Sequence, residues 1–234
     1  MIMTEHIVKS YEEQLQNLTN TIVKMGGLAE SQFANSVNAL LKRDEDLADK
    51  IAGKDLKMNE FDIKIENQVI DLIALRQPMG IDLRETVSSM RISSELERIG
   101  DLAKNIAKRA RYLEFDIPVN IADSLRRAAN VVEKNLKDVL DAYSKRDKDI
   151  AYRVWNSDLE IDKLVNFSMD ELLKFMKSNK KNLELSTHLL FAAKHMERVG
   201  DHVSNISENV YFLVTGDQIK GTRSKGEKSA STKN

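Results

Sequence analysis

A chain of 234 residues is long enough to bury one large core or two smaller ones, and two prolines, nine glycines and few aromatics argue for long helices, against an α/β fold. The absence of cysteine excludes disulfides, thiolate metal sites and thiol nucleophiles together, and fits a reducing compartment. The formal net charge of −1 divides into +3 from Asp217 onward and −4 for the rest, so the body is not a nucleic-acid binder by charge.

The first residues, Met1 to His6, lack a basic region followed by an apolar one, and no uncharged apolar run is long enough to span a bilayer. A cytoplasmic protein without membrane insertion is therefore expected. The first helix runs from about Glu5 to Lys42, with Leu15, Leu18, Ile22, Met25 and Ala29 at helical spacing, and Arg43-Asp44-Glu45 signals its end. The second covers about Asp46 to Arg76. Pro78-Met79-Gly80 marks a tight turn, and the third helix starts near Asp82, which with Glu85 forms a potential capping box, and reaches about Leu113. After Pro118 the pattern repeats as helices over about Val119 to Lys145, Asp147 to Lys177 and Asn182 to Thr215. The tail 217–234, rich in Lys, Ser, Gly and Thr without apolar periodicity, reads as disordered.

The halves are copies. KRDEDLADKIAGKDL from Lys42 matches KRDKDIAYRVWNSDL from Lys145, and Glu97-Arg98-Ile99-Gly100-Asp101 returns as Glu197-Arg198-Val199-Gly200-Asp201. The offset falls from 103 to 100 between these words, so the second copy has a shorter turn, at Ser178-Asn179-Lys180-Lys181. The fold expected is all-α, a tandem repeat of two antiparallel three-helix bundles, with units 1–115 and 116–216.

The repeated pentapeptide carries the chemistry. Residues four apart share a helix face, so each copy sets two carboxylates side by side, beside a glycine that costs about 1 kcal/mol relative to alanine in a helix interior. Antiparallel pairing about the turn near Asn179 and Lys180 sets Asp162 against Glu197 and Asp158 against Asp201. Pairing about Pro78 sets Asn59 against Glu97 and Asp55 against Asp101. Clustered carboxylates must protonate, recruit Arg or Lys, or bind a multivalent cation. An all-oxygen ligand set selects hard cations such as Mg²⁺, Mn²⁺, Ca²⁺ or iron. A salt-bridge network using Arg98, Arg198 or neighbouring lysines is the alternative, which would leave a metal-free structural adaptor. A metal-dependent bundle enzyme is the other alternative, although the Glu-x-x-His ligands of di-iron bundles are absent. His188, His195 and His202, seven apart, read as a packing stripe, and Trp155 as a core anchor.

The two ERxGDxxxNI words, the Ala74-Leu75-Arg76-Gln77-Pro78 turn followed by Asp82-Leu83-Arg84, and the HxxERVGDHxxNIxExVxFLVTG ending from His195 to Gly216 together resemble the PhoU family, accessory regulators of phosphate-specific transport. The resemblance implies a cytoplasmic, usually dimeric adaptor, not an enzyme, that represses phosphate-starvation signalling and restrains phosphate uptake. Its implied partners are the ATPase subunit of a phosphate ABC transporter and the membrane histidine kinase that drives the phosphate regulon. It also implies metal ions, multinuclear iron in some members, at E(D)xxxD motifs, which fall on Glu97/Asp101, Glu197/Asp201 and Asp158/Asp162. Asp55/Asn59 departs from that motif by its amide.

Overall fold

The computed structural model describes residues 2–53 and 55–221, with side chains described for 10–53 and 56–221. Among them all regular structure is helical: α1 (Ile2–Lys42), α2 (Glu45–Gly53), α3 (Asp55–Arg76), α4 (Gly80–Lys108), α5 (Val119–Lys145), α6 (Lys148–Asn156), α7 (Asp158–Ser178) and α8 (Leu183–Thr215). The first four make one unit and the last four its repeat. Most of the expected disordered tail, residues 222–234, lies outside the described residues.

The repeated Lys-Arg-Asp word is a stop, a turn and a start. Arg43 and Arg146 both take left-handed backbone, φ 55° and 52°. The next amide bonds back across the last turn each time, Asp44 N to Ala39 O and Asp147 N to Ala142 O, both at 2.9 Å. The aspartates then cap the following helices: Asp44 accepts from Leu47 N at 2.8 Å, and Asp147 from Asp149 N and Ile150 N at 2.9 and 3.0 Å. Each arginine reaches into the other unit, Arg43 to Asp116 and Arg146 to Glu85. Only the second acceptor is buried.

Two expectations about helix boundaries are corrected. The second helix of the second unit is broken at Ser157, between Lys148–Asn156 and Asp158–Ser178. Ser157 Oγ donates to Val154 O at 2.6 Å and accepts from Asn135 Nδ2 at 2.7 Å, so a buried amide on α5 braces the break. Apolar periodicity runs through it because both pieces bury the same side. The third helix begins at Gly80 with no side-chain cap on Met79, and the Asp82/Glu85 capping box does not form. Each acid has a tertiary partner instead: Asp82 accepts from Tyr11 Oη at 3.0 Å, and Glu85 accepts from Thr19 Oγ1 at 3.0 Å besides pairing with Arg146.

The core is continuous through both units, with Leu18, Ile22 and Phe33 of α1 joined through Leu96 and Ile99 of α4 to Leu125 and Val132 of α5 and Leu189, Met196 and Val199 of α8. The units meet along α4 and α8, and along α1 and α5. α4 and α8 run antiparallel, as Arg84 bonding Leu213 O, Glu95 meeting His202 and Arg109 meeting His188 show. No helix among the described residues is long and apolar enough to cross a membrane.

Candidate functional site

The seam of the first unit lies between α3 and α4. Ser93 Oγ donates to Asp62 Oδ1, and a Cβ on Gly100 would lie 3.0 Å from Gln32 Oε1 and 3.1 Å from Met58 Cγ. These contacts keep the register about Pro78 that the sequence predicts. In the second unit Ser204 Oγ donates to Asp158 Oδ1 at 2.9 Å. Asp158 therefore sits opposite Ser204, further along α8 than the expected Asp201. At the glycines the two hairpins share one register, Gly200 meeting Ile161 as Gly100 meets the matching Met58.

Around these seams the candidate ligands are unevenly placed. Asp158 is buried, 7% exposed, while Asp162, Glu197, Asp201, Glu97 and Asp101 are partly buried and Asn59 is exposed. The side chain of Asp55 lies outside the described residues. Asp101 accepts from Lys104 Nζ at 3.1 Å, Glu197 from Lys194 Nζ at 2.6 Å, and Glu97 lies 3.6 Å from Arg98 Nε. Among the described residues no three His, Cys, Asp or Glu side chains converge closely enough to enclose an ion. The donor chemistry still fits a hard cation, since the two seams offer carboxylates, amides and hydroxyls without imidazole or thiolate.

The motif glycines serve packing. A Cβ on Gly200 would lie 3.1 Å from both Cδ1 and Cγ2 of Ile161, tighter than ordinary contact, so α7 and α8 approach through the missing side chain. Gly200→Leu is expected to lower unfolding stability by about 2 kcal/mol through overpacking. Adding Ile161→Ala should restore most of it, and additive losses in that double-mutant cycle, measured by urea unfolding, would show that Ile161 is not what the glycine accommodates.

Sequence reasoning missed the interface between the units. Glu95 Oε2 meets His202 Nδ1 at 2.6 Å and accepts from Asn205 Nδ2 at 3.0 Å, so Asn205 reaches across to the other unit. His188 stacks on Tyr112, ring centroids 4.7 Å apart, and its Nδ1 lies 3.2 Å from Arg109 NH1. Burial, and after it the positive field of Arg109, lowers the pKa of both His188 and His195, with Arg198 adding to the effect at His195. The seven-residue spacing of the histidines was the available signal, for such spacing keeps residues on one helix-facing stripe. A polar cleft of about 510 Å³ opens along the same interface, lined by Arg91, Glu95, Asn205, Glu208 and Asn209 with Gln218. Trp155 is a core anchor as expected, 8% exposed, its Nε1 donating to Glu208 at 2.9 Å.

Comparison with known proteins places this architecture. The PhoU domain model matches residues 22–110 and 125–210, one match in each repeat. The phosphate-specific transport system accessory protein PhoU homolog of Caulobacter vibrioides is 44% identical over 224 residues, covering 95% of this chain and 97% of that protein. The homolog of the same description from Rhizobium meliloti is 42% identical over 223 residues, covering 95% and 94%. The crystal structure of PhoU from Pseudomonas aeruginosa superposes with a TM-score of 0.84 at 31% identity, covering 88% of this chain and all of that one. With both repeats matched and relatives aligned over nearly their whole length, the chain belongs to the PhoU family.

Proposed function

We propose that this chain is a regulatory adaptor of phosphate transport that restrains phosphate uptake and phosphate-starvation signalling, linking the ATPase subunit of a phosphate ABC transporter to a membrane histidine kinase. The observation that carries the reading is the near full-length match to relatives described as phosphate-specific transport system accessory proteins. A cytoplasmic homodimer is the form in which it would act. The test is affinity capture of the tagged chain from membranes of phosphate-replete cells. Enrichment of the transporter ATPase and a histidine kinase is the expected result; recovery of neither above a tag-only control would overturn the reading.

The same reading includes a hard cation such as iron, Mn²⁺ or Mg²⁺ at the seams, held in the second unit by Asp158, Asp162, Glu197 and Asp201, and in the first by Asp55, Asn59, Glu97 and Asp101. A bound cation would neutralise these acids and cross-link the second and third helices of a unit. What supports it is the oxygen-only donor set, duplicated across the repeat. The lysine contacts at Asp101 and Glu197 are i,i+3 pairs at the surface, worth a few tenths of a kcal/mol, roughly, and do not lock the acids away from another cation. Glu197→Ala with Asp201→Ala should at least halve the metal recovered per chain, read by elemental analysis of protein purified without chelator. Unchanged metal content would sink the assignment. For the unsubstituted protein, a cation at a hundredfold over its Kd should add about 2.7 kcal/mol of unfolding stability.

A further inference from the structure

The α4/α8 interface presents each of its ends twice over, because the two helices are antiparallel copies of one another related by an offset of 100 residues. Packing asks the same of both ends, so a difference in chemistry between them has another origin. At one end lie Arg91, Glu95, Glu208 and Asn209, with both carboxylates engaged, Glu95 by His202 and Asn205 and Glu208 by Trp155. The matching positions at the other end are Phe191, His195, Lys108 and Arg109. Two acids and an amide, set beside Arg91 and Phe212 at the first end, give way at the second to His195, Lys108 and Arg109 beside Phe191 and Tyr112.

We infer that this second end, centred on Arg109, Tyr112 and Phe191, is a docking surface for an acidic amphipathic helix of a partner protein. The Arg109 guanidinium lies 4.8 Å from the centroid of the Phe191 ring and donates to His188, which is stacked in turn on Tyr112. One of its five N–H groups is thereby used, and the group is held flat and oriented, the state in which arginine forks a carboxylate. Tyr112 and Phe191 are 53% and 50% exposed, offering apolar area beside the charge, where interface anchors concentrate. Of the neighbouring carboxylates, Asp49 is held by Arg111, and the exposed Glu184 opposes the field of Arg109 at His188 without bridging to the guanidinium.

Charge complementarity selects the occupant. Nucleic acid or an anionic bilayer is bound through many cations at once, whereas this surface offers few, on a body of net negative charge. A helix with acids along one edge and apolar side chains along the next matches both the fork and the rings. This goes beyond the adaptor reading, since it does not depend on which proteins are linked.

The test uses the full chain and a fluorescein-labelled 18-residue helical peptide of Leu and Glu at amphipathic spacing, with its Leu/Gln analogue, polyuridylate and phosphatidylglycerol vesicles as competing probes. The Glu peptide should bind at least tenfold more tightly than the Gln analogue. Arg109→Glu should weaken it tenfold or more, while Arg91→Glu, at the opposite end, changes it less than twofold. Because Arg109 touches two neighbours, Lys108→Glu and Phe191→Ala, both at exposed positions, serve as second variants, each expected to weaken binding about threefold with an unchanged circular dichroism spectrum. Equal binding of the Gln analogue, equal weakening by Arg91→Glu, or Arg109-dependent binding of polyuridylate or vesicles in place of the peptide would overturn the proposal.

Discussion

Replacing Arg146 by methionine should destabilise the protein by about 2–3 kcal/mol, because it strands the Glu85 carboxylate inside the junction of the two units. Glu85 is 3% exposed and is met by Arg146 and by Thr19 Oγ1 at 3.0 Å. Removing one partner of a fully buried pair costs about 3–5 kcal/mol; the arginine is half exposed, so water takes up part of the loss. Methionine keeps a Cβ and an unbranched stem, so the left-handed backbone at this position is no harder to hold. Adding Glu85→Gln should recover more than half of the loss, since the amide still accepts from Thr19 and carries no charge. Urea unfolding of the single and double variants decides it, and a double variant no better than Arg146→Met alone would mean that the loss comes from elsewhere. The equivalent arginine, Arg43, pairs with an Asp116 that stands in solvent, so Arg43→Met should cost below about 1 kcal/mol. The duplication built two clamps of one design and buried only one.

The second large effect appears in alkali. Burial pushes the Tyr143 phenol up to about 12, with Glu85 nearby adding to the rise and the hydrogen bond with Ser89 at 2.8 Å opposing it. An unfolded chain loses this proton near pH 10, whereas the folded one holds it. The folded state thus binds more protons between pH 10 and about 12; the stability is fully present below pH 10 and drains away as pH rises through that window. A shift of about two units corresponds to about 3 kcal/mol for so buried a group. Tyr143→Phe should be less stable than the parent by about 1 kcal/mol at pH 9, having lost the Ser89 hydrogen bond, and should overtake it by pH 11.5. Unfolding curves at pH 9, 10.5 and 11.5 read this directly, and parallel losses in the two proteins would place the alkaline sensitivity elsewhere. Tyr11, raised to about 12 by burial and by Asp82, adds to the slope in both proteins.

Both residues sit where the two repeats touch, and that is where reading the chain alone loses its grip. Glu85 looked like the third residue of a capping box because spacing within one helix was the only constraint in view. Arg146 answers it from 61 residues away, across a contact that no periodicity encodes. His188 and His202 lay on a recognisable stripe, yet their partners Arg109 and Glu95 belong to the other copy of the same helix. A helix break at Ser157 was invisible for a different reason: the apolar pattern continues through it, and the asparagine that braces it comes from α5.

What the sequence determined by itself was everything that follows from local spacing and from repetition: the all-helical class, the duplication, the turn at Pro78, and the sharing of one helix face by Glu97 with Asp101 and by Glu197 with Asp201. Those features depend on neighbours a few residues away or on a comparison of the chain with itself. The tertiary structure decided which faces of α4 and α8 meet. It set Asp158 against Ser204, gave the motif glycines to Met58 and Ile161, and turned one duplicated interface into a polar cleft at one end and a cationic, aromatic surface at the other. Side-chain direction at a contact between distant segments is set by packing both at once, and a one-dimensional pattern carries no term for that.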